Sequence, residues 1–541
     1  MTAYGTLTGL PIFPPEWVFE PWAGGGGGRW RNGPLQDIAL EQMAAMKKFH
    51  ELDIPHSGFY AEGAGATFYG EYKKEELYKV VSFGERHGFK VFSWQFPNMT
   101  QELAQELLPE CPKEELPITR NKNDEEEKLP VYIDFSHPRA KELLAAQWKD
   151  RMDAGIRGSM VDFGDVVPDE AVFYDGRRGD EMHNAYAYQY AKNYRELFEQ
   201  KYGDDHVLYT RGAAPGSQHF ACQFGGDQLT SFQGLKYAIA GGLSAAASGL
   251  PFWGVDAGGY DGFPDQETYL RWTEYAAFCP LMRFHGTEPR EPWEYDAFTV
   301  KVYRYYTWLR ENLRPYIVSV AAEAHKLGIP MMRPLAMMYP EDQEATKVWD
   351  EYLFGEDLLV APVSDETEER EIYFPEGRWI SLWNLNDEIS GPVQRSVEVP
   401  IDKIPVYIRE GSFLPLRLNE SLKLGESMSE SETEMILAVV PQNDSIVKET
   451  LYERSGAKTC CGMEKNGETI QLQISGRTAE LYVMLAGIHW KNTEAIVNGR
   501  TLTKVTAREG LYFTEGYLEL EEGILVKINP SAESVIKIQK K

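Results

Sequence analysis

Between about residue 15 and residue 325 the chain alternates short apolar runs of β type with amphipathic helical stretches, and it does so eight times. Such alternation is the mark of a parallel α/β architecture, because each parallel strand needs a crossover helix to bring the chain back to the same end of the sheet. The runs lie at 18–22, 58–62, 91–95, 158–162, 207–211, 222–226, 251–256 and 281–285, with helical stretches at 40–52, 74–87, 140–154 and 181–202 among those between them. Eight parallel strands close into a barrel. Residues 98–130 break the rhythm with an acidic, loop-like run at 121–128, which reads as a solvated surface excursion after the third strand. After about residue 330 the pattern becomes short strands separated by Gly, Pro, Asn and Asp, as in a β-sandwich, and a second β-rich block follows from about 419. The expected fold is a (β/α)8 TIM barrel over 1–328, a proximal C-terminal β-sandwich over 329–417 and a distal C-terminal β-rich domain over 418–541, the last two both read as sandwiches.

A chain of 541 residues with 43% hydrophobic residues can bury cores of this number and size. Its formal charge of −28 repels phosphate backbones and anionic lipid, which argues against nucleic acid and membrane partners. It contains no run of 18 apolar residues and does not open on a basic segment followed by an apolar one, so a cytoplasmic location is the expectation. The five cysteines, Cys111, Cys222, Cys279, Cys460 and Cys461, have neither the even count nor the spacing of a disulfide framework and are read as reduced.

In a barrel of this kind the reactive groups sit at the C-terminal ends of the strands. The polar residues that end successive runs here are Glu62, Trp94, Asp162, Arg211, Asp227, Asp256 and His285. Carboxylates, an arginine and a histidine would therefore meet at one mouth. That is not the residue set of a phosphate site, and no cluster has metal-ligand spacing, so no cofactor and no metal are implied. Two carboxylates flanking a glycosidic bond are the minimum for glycoside hydrolysis, and retaining enzymes hold them about 5–5.5 Å apart. One must stay ionised while the other carries a proton, which a nearby arginine and a partly apolar pocket can arrange. The 13% aromatic content suits sugar stacking and suits an aromatic core equally.

The motifs at these strand ends resemble glycoside hydrolase family 31, the family of α-glucosidases and α-xylosidases, in its bacterial branch. In order they are PPEW (14–17), MVDFGD (160–165) with Pro168 and MHN (182–184), TRGAAPGSQ (210–218), FGGD (224–227), GVDAGGYDG (254–262) with RW (271–272), MRFHG (282–286), EPW (291–293), MMRPL (331–335) and LLVAPV (358–363). The resemblance covers at least 8–415. It implies Asp162 as nucleophile and Asp227 as general acid/base, Arg211 near the acid/base and the sugar hydroxyls, and His285 bonding a hydroxyl of the −1 sugar. It further implies Asp256 as a supporting or sugar-contacting carboxylate, Trp94 as subsite wall and Glu62 where the family usually grips sugar hydroxyls with an Asp. Asp165 is read as supporting or capping, and His183 and Asn184 as structural.

Three departures from the family shape the expectation. The family normally places an N-terminal β-sandwich before the barrel, whereas this sequence starts almost at the barrel; a barrel surface left uncovered would call for a homo-oligomer or cost stability. The first loop, AGGGGGRW (23–30), carries five consecutive glycines, which have no side chains to read a sugar and make it permissive. The second-strand motif, GFYAEGAG (58–65), puts Glu62 where an Asp followed by a large aromatic is usual. An anion at that position disfavours a sulfonated sugar, and Met160, where the branch's α-xylosidases carry a Lys, disfavours xylosides. The leading expectation is therefore a retaining α-glycosidase that hydrolyses a terminal non-reducing α-linked hexose of an oligosaccharide or glycoside, α-glucosidase-like, through a covalent glycosyl-enzyme. An α-galactosidase or α-N-acetylgalactosaminidase specificity, transglycosylation on the same site, a lyase and a catalytically silent carbohydrate binder stay open at this point.

Overall fold

The computed structural model describes residues 1–25, 35–61, 63–64, 73–120, 131–429, 434–443, 445–477, 479–512, 514–530 and 533–541. They form two compact units, one of residues 1–301 with 325–329 and one of residues 302–324 with 330–541.

In the first unit eight parallel strands close into a barrel: β1 (Trp22–Gly25), β2 (Gly58–Ala61), β3 (Lys90–Gln95), β4 (Gly158–Val161), β5 (Val207–Thr210), β6 (Cys222–Phe224), β7 (Trp253–Asp256) and β8 (Leu281–Arg283). Each strand neighbours the next in sequence, and Trp22 opposite Arg283 joins β8 to β1. Strands covered by helices outside and by packed side chains inside are buried on both faces, hence their continuous apolar runs. β2, β4, β5 and β7 are buried at every position. Aromatic rings fill the interior: Trp22 lies 4.8 Å from Phe92 and 5.9 Å from Tyr209, both edge-on.

Seven of the eight expected runs coincide with a barrel strand, and the other meets its strand only at Trp22. The first is displaced: residues 16–19 wind into a 3-10 turn (Glu16–Phe19), and the strand starts only at Trp22. Pro15 sits at the N-cap of that turn with φ −56°, and Pro21, which has no N–H to give a ladder, stands just before the strand. Val18 and Phe19 are buried without being extended, so an apolar run alone misplaces the strand. The helices Leu35–Glu51, Lys74–Arg86, Ala140–Ala154, Gly179–Tyr202, Phe232–Ala247 and Gln266–Ala277 lie between strands. Their ends follow local chemistry. Ser231 and Asp265 cap two of them by accepting the Gly234 and Thr268 amides, and Gly155 at φ 102° ends a third. Between β5 and β6 the described structure is only the 3-10 turn Ser217–His219. The excursion after β3 contains a two-stranded ribbon (Asn98–Met99 with Val131–Tyr132) and the helix Gln101–Leu107, while residues 121–130 lie outside the described residues.

Helix Ala297–Leu327 runs through the division between the units. In the second unit a six-stranded sheet gathers Met332–Pro334, Tyr352–Phe354, Leu358–Val360, Val406–Arg409, Glu369–Ser381 and Glu388–Glu398. The long strand Glu369–Ser381 is continuous through a bulge between Phe374 and Gly377. Ile372, Phe374, Trp379 and Tyr407 are the heart of its core. Beyond it, a five-stranded and a six-stranded sheet share one hydrophobic core, contributed by strands such as Leu481–Ala486 and Gly523–Ile528 from one sheet and Thr469–Ser475 from the other. This is a β-sandwich. All five cysteines are free thiols, and in the strand Lys458–Asn466 the pleat turns Cys460 outward and Cys461 inward. Among the described residues no helix is long and apolar enough to cross a membrane.

Candidate active site

Because all eight strands are parallel, their C-terminal ends share one rim. Trp94 lies near the end of β3, Asp162 directly after β4, Arg211 directly after β5, Asp227 three residues beyond β6, Asp256 at the last position of β7 and His285 two residues beyond β8. Glu62 lies outside the described residues.

Asp162 is 3% exposed. Its Oδ2 accepts the Trp94 indole N–H at 3.0 Å, and its Oδ1 accepts the amide of Phe163 at 2.9 Å. Burial raises its carboxyl above the ordinary range, against the pull of Arg211 and of these two hydrogen bonds. Arg211 places Nε 3.5 Å from Asp162, Nη2 3.5 Å from Asp165 and Nη1 3.9 Å from Asp227. One guanidinium thus reaches both candidate carboxylates. Their surroundings differ, since the Asp227 side chain is 46% exposed against 5% for Asp162.

Phe163 makes this geometry possible. Its φ of 57° is left-handed, an uncommon state for a bulky residue, and it turns the amide onto the neighbouring carboxylate. Its ring lies 4.1 Å under the Arg211 guanidinium, a cation–π contact that fixes the arginine between the carboxylates.

Asp256 and Arg283 form the floor. They are register partners on β7 and β8, both fully or nearly fully buried, with Arg283 Nη2 2.7 Å from Asp256 Oδ1. The guanidinium is ringed by Tyr60 at 5.3 Å, Tyr209 at 4.8 Å and Phe224 at 5.4 Å. Burial pushes the Asp256 carboxyl up to about 7, and Arg283 opposes that rise. His285 packs against Tyr60 at 4.3 Å and Tyr260 at 5.5 Å. Burial, with Arg283 and Arg290 beside it, holds its imidazole well below the usual range, so it is neutral and offers one donor and one acceptor. Among the described residues no group of three or more His, Cys, Asp or Glu could hold a metal ion.

The structure therefore brings Trp94, Asp162, Arg211 and Asp227 into one connected group and sets Asp256 beneath the rim, away from solvent. Sequence reasoning missed Phe163 and Arg283. No local signal marks a left-handed phenylalanine. Arg283 was legible: a charge inside a strand buried on both faces needs a partner, and Asp256 ends the preceding strand.

The description "Glycosyl hydrolases family 31 TIM-barrel domain" matches residues 12–320, and "Glycosyl hydrolase family 31 C-terminal domain" matches residues 328–414. The chain is 28% identical to the isomaltosyltransferase of Sporosarcina globispora over 98% of its own length and 53% of that protein. It is 32% identical to an α-xylosidase of Saccharolobus solfataricus over 79% of its length and 58% of the relative. A solved cycloalternan-forming enzyme from Listeria monocytogenes, in complex with a pentasaccharide substrate, shares the fold with a TM-score of 0.88 at 23% identity, over 99% of this chain and 55% of that one. The chain spans a little over half the length of these relatives. With one family description covering more than half of it and a second adjoining, the chain belongs to glycosyl hydrolase family 31.

Proposed function

We propose that this protein is a retaining α-glycosidase acting on a terminal non-reducing α-linked hexose of gluco configuration. The observation that carries the reading is the Arg211 guanidinium set between a buried carboxylate and a half-exposed one. Asp162, ionised and held by Trp94 and the Phe163 amide, attacks the anomeric carbon. Asp227 gives its proton to the glycosidic oxygen as the bond to the aglycone breaks. In the second half, Asp227 takes a proton from water, the water oxygen bonds to the anomeric carbon and Asp162 leaves as carboxylate. Arg211 stabilises whichever carboxylate is charged at each stage. His285 and Trp94 contact the sugar, and Asp256 supports the site from below. The names of the relatives above, an isomaltosyltransferase and an α-xylosidase, support action on α-glycosidic bonds.

The test is p-nitrophenol release from a panel of α-glycosides: glucoside, galactoside, xyloside, N-acetylgalactosaminide and sulfoquinovoside, with Asp162→Ala and Asp227→Ala beside the unmodified protein. Turnover of the glucoside, lost in Asp162→Ala, is the expected outcome; turnover that survives in that variant would sink the assignment. A second reading, transfer of the glycosyl group to a sugar acceptor in place of water, is favoured by an isomaltosyltransferase being a relative that matches nearly the whole chain. It predicts that added isomaltose diverts product from free glucose to longer saccharides at unchanged p-nitrophenol release.

The turn that presents Asp227 supplies a further prediction. Gly226 has φ 79°, and a Cβ there would stand 2.9 Å from Arg211 Cδ. Gly226→Ala strains the backbone and pushes Arg211 away from the carboxylates. The expected result is a fall of about tenfold in kcat/KM, or about 1.4 kcal/mol, read from p-nitrophenol release, with a circular-dichroism spectrum like that of the unmodified protein.

A further inference from the structure

The backbone just after Asp227 is held from the side by a loop of the next strand, and that loop is held by one buried arginine. Arg290 is 2% exposed and lies between β8 and the 3-10 turn Pro292–Glu294. Its guanidinium donates six hydrogen bonds, all to main-chain carbonyls. Nε and Nη2 reach Gly259 at 3.1 and 2.7 Å, Nη2 also reaches Tyr260 at 3.2 Å and Gly262 at 2.7 Å, and Nη1 reaches Glu288 at 2.9 Å and Pro289 at 3.1 Å. A planar fork with five N–H groups can serve two chain segments at once; a lysine ammonium, a point with three donors, cannot span them.

The loop so held grips the segment that follows Asp227. The Tyr260 amide donates to the Gln228 carbonyl at 2.8 Å, and the Thr230 hydroxyl donates to the Asp261 carbonyl at 2.7 Å. Thr287 ties the far side, its hydroxyl accepting the Gly262 amide at 2.9 Å and its own amide donating to the Tyr260 carbonyl at 2.8 Å. The two segments approach so closely that a Cβ on Gly259 would lie 2.6 Å from both Leu229 O and Thr230 Cα. Asp227 itself is half-exposed, and its contact with Arg211, at 3.9 Å, is too long for a hydrogen bond. Gln228 is its chain neighbour, so the bond from the Tyr260 amide to the Gln228 carbonyl fixes the backbone from which the Asp227 carboxyl projects.

We propose that Arg290 is a positioning residue for Asp227, acting through the main chain of residues 259–262 and Gln228. The inference rests on Asp227 as the proton donor. A misaimed donor harms substrates in proportion to how much their leaving group needs a proton, whereas general loosening of the barrel harms all substrates alike.

The experiment compares kcat/KM for isomaltose, whose alkoxide must be protonated to leave, with kcat/KM for α-D-glucosyl fluoride, whose fluoride leaves with little assistance; if the panel identifies another hexose, the corresponding pair is used. Arg290→Met is expected to lower the first by about 100-fold and the second by less than about threefold, the first figure being the lower range of what a positioned general acid supplies. Arg290→Lys and Thr287→Val are expected to show the same split at smaller size, and they decide the matter if Arg290→Met does not fold. Parallel losses on both substrates, or no loss on isomaltose, overturn the proposal. Asp227→Ala sets the benchmark: if that variant itself shows no split, the assignment of Asp227 has failed, which is a different result from Arg290 failing alone.

Discussion

Asp162→Asn is expected to lower kcat/KM by about 10⁴-fold or more on every substrate, the scale on which loss of a nucleophile acts. The amide keeps the volume of the carboxyl, and its one oxygen can still accept the Trp94 indole N–H at the loss of the bond from the Phe163 amide, so the fold is retained while the group that attacks carbon is lost. Stability and activity then part company. Burial raises the Asp162 carboxyl above its unfolded value. A carboxyl raised in the folded state contributes stability that is fully present below the unfolded pKa and is lost as pH rises through the folded pKa. The asparagine has no such loss. The urea resistance of the variant relative to the unmodified protein should therefore rise as pH goes from 4 to 7. The same shift sets the acid limb of the pH–rate profile of the unmodified enzyme above the ordinary aspartate range. Arg211→Met should move that limb further up, because the arginine is the largest influence holding the carboxyl down. A limb that stays in place would remove Arg211 from the electrostatics of Asp162.

Arg283→Met is expected to cost about 3–5 kcal/mol of stability at high pH, the range found when one partner of a buried ion pair is removed. The loss should depend on pH in a definite direction. In the unmodified protein Asp256 titrates at about 7 in the folded state. Below that pH the carboxyl is neutral with or without Arg283, and the variant loses mainly packing against Tyr60, Tyr209 and Phe224. Above it the unmodified protein holds an ion pair, whereas the variant must either bury a lone carboxylate or keep it protonated. The stability deficit should grow as pH rises from 6 to 9. Urea unfolding at both ends of that range measures it, and a deficit independent of pH would show that Arg283 acts through packing alone.

The barrel was legible because its strands are buried on both faces and read as apolar runs at helix-length spacing, a periodic signal over three hundred residues. The one displaced strand shows the limit. Val18 and Phe19 are as buried as any strand residue, but prolines on either side turn them into a 3-10 turn. Strand ends were equally legible as chemistry, since an Asp, an Arg or a His directly after an apolar strand has few roles at a barrel rim. The hidden part lies in conformation and in pairing. A left-handed Phe163 leaves no trace in composition, and Arg290 acts only on main-chain carbonyls, which no pattern of side chains records. Arg283 is intermediate: its partner could have been guessed from adjacent strand ends, but the aromatic cage around it comes from strands far apart in sequence.

The seam that closes the barrel bears on how the chain is made. β1 pairs with β2 through four register positions, and with β8 through one, Trp22 opposite Arg283. Synthesis proceeds from the N-terminus and domains fold as units while it does so. The free side of β1 therefore has no strand to meet until Arg283 has left the ribosome, and closing a loop of that length is slow. Until then the nascent barrel is an open sheet with an unpaired strand edge, the kind of surface on which chains aggregate and chaperones bind.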